Sequence, residues 1–208
     1  MEPFVSWTGV AAPLLRPNID TDAIIPSREM KRVSKLGLGD GLFAGERYLN
    51  AGEREPDPHF VLNQPAFRNC SILLTGPNFG CGSSREHAVW ALREYGIRAI
   101  VSPSFGSIFA NNCVRNGLLP VSLPQEQVEA IAGWVLEQPQ GHQLVIDLEK
   151  RSLTAGDMVL YFKIESAARH MLLHGLDAIA LTQTRWTEIE AFHRRRQSQR
   201  PWLTLPVP

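Results

Sequence analysis

Residues 71–96 constrain the fold more than any other stretch. Ser71 to Leu74 is an apolar run, Gly76-Pro77-Asn78 and Gly80-Cys81-Gly82 follow it, and from Ser83 the pattern becomes helical. A short apolar run bounded by glycine and proline reads as a buried strand. Ala88, Ala91, Leu92 and Tyr95 fall at i, i+3, i+4 and i+7, one apolar stripe that belongs against a sheet. Ser83 with Glu86 three residues on has the form of a capping box, which places the helix start at Ser83.

A strand, a glycine loop and a helix N-terminus make an anion site, because the first N–H groups lack intrahelical partners and the helix dipole is positive there. Arg85 adds a guanidinium able to grip a carboxylate or phosphate with two parallel hydrogen bonds. Three common motifs are excluded. The loop has no lysine for a phosphate-binding P-loop, and no Gly-x-Ser-x-Gly elbow is present. A dinucleotide fingerprint starting at Gly80 would need glycine where Arg85 stands. On residues alone, Ser83 is either a helix cap or a working hydroxyl.

The chain continues in the same alternation. Ile97 to Val101 reads as a strand, Ser107 to Asn116 as a helix stopped by Gly117, and Leu118 to Ser122 as a third strand. Alternating strands and helices argue for an α/β layer with parallel pairing. Pro124 opens a helix with the stripe Val128, Ile131, Ala132 and Val135. Leu144 to Leu148 and Met158 to Ile164, around a polar turn, read as a β-hairpin, and Ser166 opens a helix ended by Gly175. Ahead of all this, residues 4–26 read as an extended lead-in, the Asn18–Asp22 loop and a short apolar strand. Residues 27–58 read as a short helix and a long loop. Thr187 and Glu190 have the spacing to cap a last helix carrying Arg194, Arg195 and Arg196. His170 and His174, at i and i+4, have no third ligand nearby and read as surface residues.

Gly80-Cys81-Gly82-Ser83-Ser84-Arg85-Glu86-His87-Ala88 resembles the signature of the swivelling domain of the aconitase superfamily, most of all its separate small subunits of the isopropylmalate isomerase kind. Asp20-Thr21-Asp22-Ala23-Ile24-Ile25-Pro26, Phe60-Val61-Leu62-Asn63-Gln64-Pro65 and Asn111-Asn112-Cys113-x-x-Asn116-Gly117-Leu118-Leu119-Pro120 share the likeness, which runs from about Asn18 to Thr182. The resemblance implies an α/β fold. It would be a single swivelling β/β/α-type domain (1–185) with a mostly parallel core sheet, helices and an added β-hairpin, then a C-terminal helix and Pro-rich tail (186–208).

For function it implies half an active site. Ser83 would be the catalytic base, with Ser84, Arg85, Thr21 and Asp22 lining the substrate. A basic residue of the long loop, Arg32 or Lys35, would hold a substrate carboxylate. The reaction would interconvert 2-isopropylmalate and 3-isopropylmalate through 2-isopropylmaleate, in leucine biosynthesis. A large subunit would carry the 4Fe-4S cluster, so this chain would bind no metal. Sister dehydratases of homoaconitate or methylmalate type would share every motif, and a non-catalytic carboxylate-binding module is the alternative of a different class.

Bulk properties fit that reading. Lysine and arginine total 21, matching 21 aspartates and glutamates, which gives no support to a nucleic-acid partner. Neither a signal-like segment nor a membrane-length apolar run is evident, and three cysteines without Cys-x-x-Cys suit a reducing cytoplasm.

Overall fold

The chain opens with two strands, β1 (Ser6–Gly9) and β2 (Ala11–Leu14), that part at Val10 and enter different sheets. The computed structural model describes residues 1–31, 36–50 and 53–203. The first helix, α1 (Thr21–Ile24), is one turn long. Then come β3 (Ile72–Thr75), α2 (Glu86–Tyr95), β4 (Ala99–Ser102), α3 (Ser107–Arg115), β5 (Leu119–Ser122) and α4 (Gln125–Glu137). β2, β3, β4 and β5 form a parallel sheet in that order, with Ala11 opposite Ile72, Leu73 opposite Ile100 and Val101 opposite Val121.

Every residue of β3 and β4 is buried, as a parallel sheet covered on both faces requires. Proline sits in two strands, Pro13 in β2 and Pro120 in β5, and both strands are edges of this sheet. A residue without an N–H is tolerated there because an edge strand leaves alternate groups unpaired anyway. The stripe Val128, Ile131, Ala132 and Val135 of α4 is buried, and α4 packs against β2, β3 and β4.

The remaining strands, β6 (Leu144–Asp147), β7 (Ser152–Ala155) and β8 (Met158–Tyr161), join β1 in an antiparallel sheet of order β1-β6-β7-β8. The expected hairpin therefore contains an extra strand. Its two flanks do not pair with each other, because β7 lies between them. β7 hides in the sequence as Ser-Leu-Thr-Ala, and its turn to β8 is made by two residues, Gly156 (φ 58°) and Asp157. The first residues lace the sheets together. Trp7 Nε1 donates to Ser71 Oγ (2.8 Å), Arg98 pairs with Glu2, and the Met1 ammonium donates to Gly175 O (2.8 Å). The hydrogen bond and charge of Arg98 hold the Glu2 carboxyl below its ordinary range, so the tie is fully in place at neutral pH and is lost only as pH falls below that range, through the lowered value.

After β8 the chain is helical: α5 (Ser166–His174), closed by left-handed Gly175, then α6 (Ala178–Gln183) and α7 (Trp186–Gln199). α6, capped by Asp177, was not legible as a separate helix. The Thr187–Glu190 box does not form, since Arg185 occupies the N-cap position without a side-chain bond.

Candidate active site

Parallel strands collect ligand sites at their carboxyl ends, and three loops meet there. They are 15–20 after β2, 76–85 after β3 and 103–106 after β4. Backbone bonds stitch them together: Asn18 N donates to Pro77 O (2.9 Å), Gly80 N to Ile19 O (2.7 Å), Phe79 N to Ser104 O (3.1 Å) and Gly106 N to Phe79 O (2.9 Å). Ser102 Oγ, fully buried, lies 2.8 Å from both Gly76 O and Ser104 O and shares its one proton between them, which fixes where two of the loops leave the sheet.

Glycine is required at Gly80 for two reasons. Its φ is 71°, and a Cβ there would lie 2.2 Å from the Phe109 ring, itself held edge-on against Phe79. Gly80→Ala combines left-handed strain with overpacking, an expected cost of about 2–4 kcal/mol. Urea unfolding of the variant measures it, and a loss under ~1 kcal/mol would mean the loop re-forms elsewhere.

The loop ends differently from the sequence expectation. α2 begins at Glu86, with Arg85 at the N-cap position, so Ser83 does not cap the helix and the Ser83–Glu86 box is absent. The chain turns at Ser83 instead, and its carbonyl accepts from Arg85 N (2.8 Å) and Thr21 Oγ1 (3.1 Å). The loop's bonds to residues 19–21 compete with the box and win. Ser83 and Ser84 are exposed, and the Ser83 hydroxyl has no hydrogen-bond partner among the described residues. A serine freed from capping keeps its hydroxyl for other work.

Thr21 and Asp22 open a helical turn, with Asp20 extended ahead of it, rather than leading into a strand. Asp20 accepts from Ala23 N (2.7 Å) and caps α1, while Thr21 N donates to Cys81 O (2.9 Å). Asp22 then stands at the site and pairs with Arg85 through Nη1. The side chains of Asp22 and Arg85 are 54% and 20% exposed, so the carboxylate is open to solvent while the guanidinium is largely covered. Thr21, Asp22, Ser83, Ser84 and Arg85 are thus brought to one place. Arg32 and Lys35 lie outside the described residues. Just beyond that segment the long loop is anchored to α2: Gly37 N, Leu38 N and Gly39 N all donate to the Glu94 carboxylate, at 2.5–2.7 Å.

Asn116 was missed as a member of this assembly, although it stands in the quoted Asn-Gly-Leu-Leu-Pro run. Its amide donates to Glu86 Oε1 (2.7 Å) and accepts from Trp90 Nε1 (2.9 Å), tying the first turn of α2 to the end of α3. A polar side chain beside a helix-ending glycine was its only signal. His170 and His174 are exposed neighbours on α5, as expected of surface residues.

Among the described residues no three His, Cys, Asp or Glu side chains gather as a metal site. Burial pushes the Cys70 thiol up to about 12 and the Cys113 thiol well above the usual value, so both stay protonated at neutral pH.

A parallel sheet whose strand-end loops converge on a Gly-Ser-Ser-Arg turn defines an aconitase-type domain, and the family model described as the aconitase C-terminal domain matches residues 1–126. A 3-isopropylmalate dehydratase structure from Methanocaldococcus jannaschii has the same fold, at TM-score 0.65 and 24% identity, covering 89% of this chain and 98% of that one. The 3-isopropylmalate dehydratase small subunit of Cupriavidus necator is 59% identical over 204 residues, 98% of each chain. That of Methylibium petroleiphilum is 48% identical, covering 98% of this chain and 97% of the relative. The chain belongs to the family of 3-isopropylmalate dehydratase small subunits.

Proposed function

We propose that this chain is the small subunit of a cytoplasmic hydro-lyase that interconverts 2-isopropylmalate and 3-isopropylmalate through 2-isopropylmaleate, in leucine biosynthesis. The observation that carries this reading is likeness over the full length, 46–59% identity across 98% of the chain, to relatives bearing that name. The three free thiols are in keeping with a reducing compartment. We take residues 1–185 as the swivelling domain and 186–208 as an appended helix and tail.

The reaction removes a proton from one carbon and a hydroxyl from its neighbour, then returns both with positions exchanged. Ser83 is the assigned base. Its alcohol must act as an alkoxide, and a helix N-terminus contributes at most ~2 kcal/mol towards that, about one and a half pKa units. With α2 beginning at Glu86, the dipole alone is even less sufficient. The Arg85 charge, the loop amides and exclusion of water by a partner must add to it. Arg85 grips one substrate carboxylate, with Asp22 orienting its guanidinium from one side and Thr21 and Ser84 completing the wall. Arg32 or Lys35 holds the second carboxylate. A 4Fe-4S cluster held by cysteines of the large subunit supplies the Lewis acid for the hydroxyl.

The substrate assignment is tested with the purified two-subunit enzyme on 2-isopropylmalate, homocitrate-type and methylmalate substrates. The expected preference in kcat/KM for the isopropyl compound is about tenfold or more, the scale set by a few methylenes in an apolar pocket. A preference for either competitor would move the chain to a sister enzyme.

A further inference from the structure

Helices α6 and α7 bury no residue. A 14-residue helix is marginal in water and normally depends on packing an apolar face. Here that face is open. Ile179, Trp186 and Phe192 are 70%, 57% and 50% exposed, and Trp202 beyond them is 75% exposed. An open groove of about 690 Å³ runs between α5 and this arm, lined by His170, Leu181, Thr184, Arg185, Ile189 and Phe192. Several large apolar side chains left exposed on one arm, beside an open groove, mark a place where something binds.

Charge narrows what binds. The chain as a whole is balanced, yet residues 178–203 hold five arginines against two glutamates. Glu190 is already paired with Arg194, and Arg195 lies over the Phe192 ring, 5.9 Å from its centroid. The complementary surface is therefore an apolar cleft with an acidic rim. Position narrows it further. α5, the root of the arm, packs against α3, and both Gly175 and Gly117, at the far end of α3, lie against Met1. The site loop is stitched to the other end of α3, at Gly106. Nine helical residues, about 13 Å, separate the two ends. A partner that closes the site is within reach of the arm.

We propose that residues 178–203 are the docking arm for the large subunit, which receives Trp186 and Phe192 in an acidic-rimmed cleft. This rests on the small-subunit reading above. The test uses the full chain with the paired substitutions W186S/F192S and, separately, R195E/R196E, and it measures the dissociation constant of each for the large subunit at two salt concentrations. Both variants are expected to fold with an unchanged Tm, since no altered side chain is buried. They should bind about tenfold or more weakly, with kcat at saturating partner unchanged. The charge-reversed variant should also lose most of the salt dependence. Wild-type affinity in both variants overturns the proposal. So does a result in which the substitutions abolish self-association of the chain, or binding to anionic vesicles, and leave partner affinity intact. If the unmodified chain itself fails to bind the large subunit, the small-subunit reading falls instead.

Discussion

Ser83→Ala is expected to leave a folded subunit that binds its partner and turns over roughly 10²-fold or more slowly, the usual scale for losing a positioned proton acceptor. The structure makes this test cleaner than the sequence alone would. Ser83 lies outside α2 and caps nothing, so the substitution should move stability by no more than about 0.5 kcal/mol. Its carbonyl, which holds Thr21 and Arg85 N, is kept in alanine. Ser83→Asp extends the contrast. An exposed turn accepts aspartate, yet an added carboxylate beside Arg85 would compete for the guanidinium and repel an acidic substrate. The variant should fold, bind the large subunit and be nearly inactive. Near-normal turnover of either variant in the reconstituted enzyme would remove Ser83 from the chemistry.

Arg85→Lys is the second large effect. Arg85 meets Asp22 through Nη1 alone, and no other hydrogen bond from its guanidinium is made among the described residues. Its remaining N–H groups are therefore available for a carboxylate. Lysine keeps the charge and loses the two-pronged grip. One charge-assisted hydrogen bond is worth about 1.5–3 kcal/mol, so kcat/KM should fall by roughly 10–10²-fold. Stability should change by no more than about 1 kcal/mol, because lysine keeps the positive charge facing an Asp22 carboxylate that is itself exposed. Steady-state kinetics beside thermal unfolding separates the two. A variant with wild-type kcat/KM would refute the clamp, and one with a much lower Tm would make Arg85 a structural residue.

What the sequence made legible follows from which forces act locally. β3, the glycine loop and the α2 stripe were readable because an apolar run, positive-φ positions and a 3.6-residue period are properties of neighbouring residues. The same holds for α4 and for α5 with its closing Gly175. The failures share a cause. The Ser83–Glu86 box and the strand expected after Asp22 were both overruled by bonds from residues some 60 positions away: Thr21 to the loop at Cys81 and Ser83, and Arg85 to Asp22. β7 was missed because four residues of mixed polarity acquire strand character only when β6 and β8 flank them. The site residues themselves were placed by motif. Asn116, which joins α2 to α3, acts through contacts that no spacing rule encodes.

The central claim is that this chain supplies half of one active site, and the most direct measurement is turnover of 2-isopropylmalate by the purified chain with and without the large subunit. The chain alone should be colourless and inactive. Adding an iron–sulfur large subunit, itself inactive alone, should restore formation of 3-isopropylmalate in proportion to the complex formed. Turnover by this chain in preparations free of any partner would contradict the account.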